Sequence, residues 1–288
     1  LDRCGNLVWR TDRPAHHAVA LTEDGAVWAP SADNYYDSDQ SPYGFIQPPF
    51  AIDTAIKVTP DGRVVEDFSI ADSLIDSGKF GLLTLTGESE PGLFPGVRLD
   101  FEEELFHLND VEPLPRAIAD DFPLFEAGDL LLSLRNRNLV LVVDGVTKQV
   151  KWWRIGPWVR QHDPDWRAGG TIVVFDNFRD ASDDGSVFGG TRIIEIDPMQ
   201  EGYAVLYGEK PEQQFYSRRR GKQDVRANGG ILVTDAENGR LFEFDENGRI
   251  TWEYVNRYDE DRVARITDGR VYEPEYFEAD FDCSQTEN

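Results

Sequence analysis

The sequence predicts an all-β protein with the architecture of a β-propeller, and three observations carry this prediction. One unit of about 50 residues occurs four times along the 288-residue chain. Each unit contains three or four stretches in which apolar and polar residues alternate, which is typical of half-buried β-strands. Turns that contain Asp and Gly separate the stretches and favour antiparallel neighbours. A repeated unit of four antiparallel strands is a propeller blade.

The four units follow one another along the chain. The first begins at His17 and contains DTAIKVTPDGRVVEDFSI, and the second begins at His107 and contains GDLLLSLRN and KQVKWWRI. The third begins at His162 and contains TIVVFDN, and the fourth begins at Gln223 and contains ILVTDAEN and RITWEYV. In each unit an asparagine is predicted to end one strand: Asn34, Asn136, Asn177 and Asn238.

The two ends of the chain are predicted to complete one shared blade. Residues 1–10 (LDRCGNLVWR) resemble the last strand of a preceding unit, and residues 262–274 (RVARITDGRVYEP) are the candidate partners in the same sheet. Such sharing closes the ring and removes exposed sheet edges. Cys4 and Cys283, the only cysteines, would then be close enough for a disulfide, with two separate thiols as the alternative.

We expect one domain over residues 1–288, with six blades, or five. Residues 71–105 do not follow the repeat and are predicted to form a degenerate blade or a lid.

Composition excludes two classes of partner. The formal net charge of −25 should repel nucleic-acid phosphates and anionic lipid surfaces. No apolar run approaches the roughly 20 residues of a membrane span, so we expect no membrane insertion. Because the chain begins at Leu1 and not at Met, we expect that an upstream segment has been removed.

Three of the four histidines occupy the same place in successive units. His17, His107 and His162 each stand where the innermost strand begins, and Gln223 holds that place in the fourth unit. Equivalent positions on innermost strands surround one axis, so these side chains should meet at a channel mouth. Imidazoles can act as acid, base, nucleophile or metal ligand near neutral pH. Polar residues that only solvate the channel are the alternative.

Other polar residues are predicted to belong to this site. Arg179 follows the FDN sequence on the same unit as His162, and its guanidinium could bind an oxyanion. A metal is disfavoured because the chain has no HxH or HxxxH pair, and adjacent residues on a strand face opposite sides. The remaining candidate substrate-binding residues are His16, Asn109, Asp110, Asp163, Arg218 and Gln223.

These motifs resemble the bacterial arylsulfotransferase family. The resemblance runs from about His16 to Phe277. It rests on four blocks, which are FHLNDVEPLP with GDLLLSLRNRNLV, KQVKWWRIGPW with RQHDPDW, GTIVVFDN, and NGGILVTDAENGRLFEFDENGRITWEYVN.

The resemblance implies a six-bladed propeller, periplasmic or secreted, that transfers a sulfuryl group from a phenolic sulfate ester to a phenol. It implies a ping-pong route through a sulfated histidine, with no nucleotide donor, cofactor or metal. By motif, His107 and His162 match two supporting histidines, and Arg179 matches the sulfate-binding arginine. Gln223 stands where relatives often carry a histidine. If that histidine is the covalent acceptor, this chain lacks it, and His17 across the channel is a residue that could substitute for it.

Functions of different classes therefore remain open. The first is transfer or hydrolysis of an aryl sulfate ester, with an aryl sulfate and a phenol as partners. The second is a binding propeller that has lost the nucleophile and captures a sulfated or anionic small molecule or glycan. A polysaccharide lyase or hydrolase is a third and weaker candidate. The oligomeric state is not determined by the sequence.

Overall fold

The structure, a computed structural model, describes residues 4–37, 39, 42–44, 46, 48–83, 105–226, 228–260 and 262–272. In these ranges sixteen β-strands form four sheets, and each sheet contains four antiparallel strands in chain order. The four sheets correspond to the four predicted sequence units. They confirm the all-β prediction.

Each sheet is built from one continuous part of the chain. The first sheet contains β1 (Ala20–Leu21), β2 (Val27–Tyr35), β3 (Phe50–Val58) and β4 (Val64–Ser69). The second contains β5 (Leu108–Pro113), β6 (Leu130–Leu134), β7 (Leu139–Val143) and β8 (Val150–Ile155). The third contains β9 (His162–Arg167), β10 (Thr171–Asp176), β11 (Arg192–Ile196) and β12 (Ala204–Tyr207). The fourth contains β13 (Lys222–Val225), β14 (Ile231–Asp235), β15 (Arg240–Phe244) and β16 (Ile250–Val255).

The sheets follow one another around an axis as propeller blades. Strand β5 contacts β1 and β2 of the first sheet, β9 contacts β5, and β13 contacts β9. The first strand of each sheet is therefore its innermost strand. Every residue of β6 and β7 is buried, because neighbouring blades cover both faces, whereas the outermost strand β8 alternates between half-buried and exposed residues. The arrangement confirms the propeller, while a total of five or six blades stays a prediction.

Apolar side chains fill the spaces between successive blades. Leu132 and Leu141 of the second sheet pack with Ile52 of the first. On the other face of the second sheet, Leu131 and Val140 pack with Ile172, Val174 and Ile194 of the third sheet. Phe175 of the third sheet packs with Val233 and Phe242 of the fourth. Each fully buried side chain of this kind stabilises the fold by roughly 1.5–3 kcal/mol relative to exposure.

Residues 71–76 and 80–83 of the predicted degenerate blade or lid are helical. Helices α1 (Ile70–Asp76) and α2 (Phe80–Leu83) follow β4, and the Ser69 hydroxyl accepts a hydrogen bond from the Asp72 amide at 3.2 Å as the N-cap of α1. Ile70 and Leu74 are fully buried against the first two sheets, because a helical spacing of four residues places them on one face. Residues 84–104 lie outside the described residues.

The described parts of the chain ends contain no sheet strand. They form two isolated bridges, in which Ala15 pairs with Ser31 of β2 and Arg257 pairs with Val263. Trp9 packs against Ile56 of the first sheet, and Arg270 Nη2 donates to the carbonyl of Val19 at 3.3 Å. Both ends thus approach the first sheet, and the shared terminal blade stays a prediction.

Two further sequence predictions meet different outcomes. Cys283 lies outside the described residues, so the bond from Cys4 to Cys283 also stays a prediction. Asn34 does not end its strand but pairs with Ala51 inside β2, whereas the other three asparagines follow their strands within three residues.

Among the described residues, no helix is long and apolar enough to cross a membrane.

Candidate active site at the channel mouth

The innermost segments of three blades bring all four histidines together. His16 and His17 precede β1, His107 precedes β5, and His162 begins β9. The His107 ring contacts the His17 ring, with a centroid distance of 4.8 Å. A cavity of about 370 Å³ is lined by His16, His17, Ala18, Asn109, His162, Asp163, Arg220, Gly221, Lys222 and Thr267.

The backbone around His107 is positioned by the neighbouring blade. The buried Asp53 carboxylate on β3 accepts hydrogen bonds from the amides of His107 at 3.1 Å and Leu108 at 2.8 Å. His107 has φ of 57° and His17 has φ of 59°, a left-handed conformation that costs a non-glycine residue about 1–2 kcal/mol. The bonds from Asp53 offset part of this cost at His107.

Three imidazoles form a hydrogen-bonded chain. His16 Nδ1 lies 2.7 Å from His17 Nδ1, and His17 Nε2 lies 3.2 Å from His107 Nε2. Each contact needs one N–H and one lone pair, so a proton can move along the chain. As adjacent residues, His16 and His17 were expected to face opposite sides of a strand. That expectation is wrong, because both precede β1 and the left-handed turn at His17 lets both rings line the cavity.

His162 carries a free ring nitrogen inside the cavity wall. Its Nδ1 lies 2.7 Å from Oδ1 of Asn177. The Asn177 amide nitrogen donates to the carbonyls of Ser217 at 2.7 Å and Arg220 at 3.0 Å, which fixes Oδ1 as an acceptor. His162 Nδ1 therefore carries the proton, and its Nε2 carries a lone pair. That Nε2 is buried and has no hydrogen-bond partner among the described residues.

The environment keeps His162 neutral. Burial lowers the pKa of His162 to about 3, and the charges of Arg135, His17 and His107 act in the same direction, while the bond to Asn177 opposes them. The side chain is only 5% exposed. At neutral pH the ring is an uncharged imidazole with one defined tautomer, which suits a nucleophile or a general base.

Cationic groups surround this imidazole. Arg220 and Lys222 line the cavity, and the charge of Arg135 acts on His162. Arg135 Nη1 donates to Oδ1 of Asn136 at 3.4 Å, and the Arg160 guanidinium donates to the same oxygen. A cavity with several guanidinium and ammonium groups is suited to a sulfate or another oxyanion.

Sequence reasoning missed several of these residues. Asn177, Arg135 and Arg160 were not predicted as site residues, and of residues 218–222 only Arg218 was named as a candidate. The signals were present in short motifs, since Asn177 ends the FDN sequence and Arg135 stands in SLRN. What was missing was the contact between these motifs and the histidines.

Asn109 and Asp163 are predicted site residues that line the cavity, but their side-chain hydrogen bonds connect one blade to the next. Asn109 Nδ2 donates to the carbonyl of Gln161 at 2.8 Å, and Asp163 Oδ2 accepts from the amide of Gln223 at 2.7 Å. Both therefore join the innermost strand of one blade to the next. Asp110 lies deeper, in the channel that continues from the cavity.

Gln223 does not share the cavity with the histidines. Its side-chain amide donates to the carbonyls of Asp163 and, at 3.0 Å, Val173, so this side chain connects the fourth blade to the third. Lys222, one residue earlier, lines the cavity in its place. Neighbouring residues on a strand face opposite sides, which explains why a shift of one residue changes the partner.

Two predicted arginines also lie apart from the cavity lining. Arg179 belongs to the loop that follows β10, where its amide donates to the carbonyl of Val159 at 3.5 Å. Arg218 Nη1 forms an ion pair with Asp183 at 3.2 Å. Within the described residues, the arginine that lines the cavity is Arg220.

The fold and the site together define a β-propeller with an axial cavity of histidines and cationic side chains. The model of the arylsulfotransferase (ASST) family matches residues 1–257. The chain belongs to this family, which confirms the resemblance seen in the sequence. No curated protein matches the chain at a significant level.

Solved structures with a similar fold have little sequence identity to the chain. A protein of unknown function from Bacteroides caccae is 15% identical over 88% of this chain and 65% of its own, with a TM-score of 0.40. A streptogramin B lyase is 10% identical over 85% of this chain and 56% of its own, with a TM-score of 0.43. The β-propeller domain of Cps50 (Swd1) from Myceliophteria thermophila is 11% identical over 97% and 71%, with a TM-score of 0.45. The chain spans less than two thirds of the first two proteins.

Proposed function

We propose that this protein transfers a sulfuryl group from a phenolic sulfate ester to a phenol, and that His162 is the residue that carries the group. One observation supports this proposal above all. His162 Nε2 is a buried lone pair without a protein partner, on a neutral ring, in the wall of a cavity with cationic groups.

The first half-reaction forms a sulfated histidine. His162 Nε2 attacks the sulfur of the aryl sulfate, the N–S bond forms, and the S–O bond to the aryl ring breaks with both electrons leaving on the phenolate. A proton from the chain of His16, His17 and His107 neutralises the phenolate. Because Nδ1–H remains bonded to Asn177, the charge that develops on the imidazole ring faces an amide oxygen.

The second half-reaction reverses these steps on another phenol. The acceptor hydroxyl gives its proton to the histidine chain, its oxygen attacks sulfur, and the N–S bond returns its electrons to His162 Nε2. No oxidant, reductant or nucleotide is needed, since each bond broken is matched by one formed. Alternating donor and acceptor at one cavity gives ping-pong kinetics.

Cationic side chains hold the sulfuryl oxygens. Arg220 and Lys222 line the cavity, so their positive charge favours the negative charge of the sulfate and of the leaving oxygen. Lys222 Nζ also forms an ion pair with Asp268 at 3.3 Å, at the boundary between the cavity and the adjoining channel. In this proposal Arg220 takes the part that the resemblance gave to Arg179. His107 keeps a supporting part, as predicted, because its Nε2 continues the histidine chain. The proposal includes a periplasmic or secreted location.

The decisive test is turnover together with identification of the sulfated residue. The purified protein is incubated with 4-nitrophenyl sulfate and phenol, and release of 4-nitrophenolate is followed by absorbance. We expect release to depend on phenol and to fall at least ~10³-fold in His162→Gln, as loss of a nucleophile requires. Without phenol, peptide mass spectrometry under neutral quench should find one added SO₃ on His162.

The control is Gln214→Ala, an exposed position outside the cavity, which should retain full activity. Retained turnover in His162→Gln, or an SO₃ group on His17, would refute the part assigned to His162. His17→Gln then serves to test the acceptor that the sequence suggested.

The second candidate is a propeller that binds an aryl sulfate or another anionic molecule without turnover. The observation that favours it is Gln223, whose amide is bonded between blades where relatives often carry a histidine. Thermal stabilisation by 4-nitrophenyl sulfate, with no nitrophenolate and no SO₃ adduct, would support this function over transfer.

A further inference from the structure

The channel that continues from the histidine cavity is lined by ionisable residues in a regular pattern. It has a volume of about 450 Å³ and shares Ala18, Asp163 and Lys222 with the cavity. Four inner segments each contribute two ionisable side chains separated by one residue. The four pairs are Asp110 and Glu112, Asp163 and Asp165, Lys222 and Asp224, and Asp268 and Arg270.

The pattern produces two levels along the axis. Along β5, β9 and β13, residues two apart are about 6.6 Å apart and face the same side. Asp268 and Arg270 lie outside the strands, and they are assigned to levels by their interactions with Lys222 and Glu112. The first level contains Asp110, Asp163, Asp268 and Lys222, and the second contains Glu112, Asp165, Asp224 and Arg270. Lys222 interacts electrostatically with all three carboxyl groups of its level. At the second level, Glu112 is hydrogen-bonded to Asp165 and interacts with Arg270 and Asp224. Each level thus has three carboxyl groups and one cationic side chain.

One carboxyl oxygen of the first level is buried without a partner. Asp110 is 4% exposed, and its Oδ2 has no hydrogen-bond partner among the described residues. A buried carboxylate oxygen without a donor costs several kcal/mol unless a proton or a cation neutralises it. Burial raises the pKa values of Asp110, Glu112, Asp163 and Asp165, to about 7 at Glu112 and about 6 at Asp163. The channel therefore contains fewer cationic side chains than carboxyl groups, and Asp110 Oδ2 is left without a donor.

We propose that the channel binds an aliphatic diamine along its axis, with one ammonium group at each level. An ammonium group donates three hydrogen bonds, which suits a level with three carboxyl groups. A four-carbon diamine places its nitrogens at about the spacing of the two levels. The apolar residues of the channel wall suit the methylene groups; they are Ala18, Val19, Ala20, Leu21, Pro113, Pro115 and Val271.

The arrangement favours an organic cation over a metal ion. In the part of the chain that the structure describes, no group of three or more His, Cys, Asp or Glu residues is arranged to hold a metal ion. The inference goes beyond the proposed function and does not depend on sulfuryl transfer, because none of its evidence involves His162.

Calorimetric titration with 1,4-diaminobutane tests the proposal. At pH 7.5 and low ionic strength, we expect binding of one molecule, at least tenfold tighter than 1-aminobutane, with no binding of butane-1,4-diol. Asp110→Asn and Glu112→Gln remove one charge from each level, so each should weaken diamine binding at least tenfold. Glu260→Gln removes one charge from the exposed surface and should bind as the wild type does.

Three results would overturn the proposal. The first is absence of binding by folded wild-type protein, with folding verified by circular dichroism. The second is equal loss of affinity in Glu260→Gln, which would show attraction by the net charge alone. The third is that Ca²⁺ binds and the diamine does not, which would assign the channel to a metal.

Discussion

At the scale of single residues, the chemistry depends on how one imidazole is oriented. His162 would be an ordinary buried histidine if both nitrogens were bonded to protein. Asn177 occupies only Nδ1, and its own amide is fixed by the carbonyls of Ser217 and Arg220. The loop that carries Arg220 therefore also sets the tautomer of His162. In the proposed function, sulfate binding by Arg220 and the orientation of the His162 nucleophile are therefore connected through the side chain of one asparagine.

Removing Asn177 should lower the rate of the chemical step more than it changes substrate affinity. In Asn177→Ala, Nδ1–H loses its acceptor and the tautomer is no longer defined, so we expect kcat to fall about 10- to 100-fold with a small change in KM. Stability should fall by about 1–3 kcal/mol, because two buried carbonyls lose a donor. Asn177→Asp keeps an acceptor and should recover part of kcat. Equal losses in both variants would assign Asn177 a packing role only.

Removing Arg220 should affect anionic substrates directly. In Arg220→Ala, kcat/KM for 4-nitrophenyl sulfate is expected to fall about 10- to 100-fold, since a charge-assisted contact to the sulfate is lost. The matched control is Arg249→Ala, whose side chain is 80% exposed in the turn before β16. If Arg179→Ala loses activity and Arg220→Ala does not, the sulfate is held by the residue that the resemblance indicated.

At the scale of secondary-structure elements, the innermost strands are connected by side chains as well as by apolar packing. Asp53 of the first blade bonds the backbone of the second, Asn109 bonds the segment that enters the third, and Asp163 bonds the fourth at Gln223. These bonds lie directly beside the cavity. Asn109 and Asp163, which line the cavity, therefore also position the strands that carry it.

The segment that enters the fourth blade has a tight packing constraint at Gly221. Gly221 has φ of 142°, and a Cβ there would overlap the Phe175 ring in the core between the third and fourth blades. We expect Gly221→Ala to destabilise the protein by about 2–4 kcal/mol through overpacking and backbone strain. Gly229→Ala is the control, because φ is 84° but nothing lies within 4 Å, so it should cost about 1 kcal/mol. Denaturant unfolding measures both, and equal losses would contradict the packing argument.

At the scale of the whole molecule, two buried ionisable groups, His162 and Glu112, make stability depend on pH in opposite directions. Burial lowers the pKa of His162 to about 3, so its contribution to stability is lost as the pH falls below its ordinary value. Burial raises the pKa of Glu112 to about 7, so its contribution is present at low pH and is lost as the pH rises toward 7. The acidic channel is thus destabilising at neutral pH when no cation occupies it.

Glu112→Gln should therefore stabilise the protein more at neutral than at acidic pH. Relative to the wild type, its free energy of unfolding is expected to increase between pH 4.5 and 7.5 by on the order of 1–3 kcal/mol, since glutamine has no proton to lose. Denaturant titrations at both pH values measure this. The free energy of unfolding of Glu260→Gln should change with pH in the same way as that of the wild type. A difference that does not change with pH would show that Glu112 is not titrating in this range.

The residues that sequence reasoning placed well are those governed by local pattern. Alternation and turn chemistry indicated the four strand groups, and the repeat placed three histidines at the start of the innermost strands. In the structure His162 begins β9, whereas His17 and His107 lie shortly before β1 and β5. These features depend on neighbours within a few residues, so the chain alone determines them.

Tertiary structure decided which of these side chains share the cavity. Lys222 and Arg220 line it where Gln223 and Arg218 were expected, because strand register and a few left-handed backbone positions set the direction in which each side chain points. The bond that defines the His162 tautomer joins residues 162 and 177 of one blade to a loop that leads to the next blade. The two charged levels of the channel likewise exist only when four distant segments surround one axis. The linear sequence determines the blades and the residues available to them. Only the packing of one blade against the next determines which side chains act together.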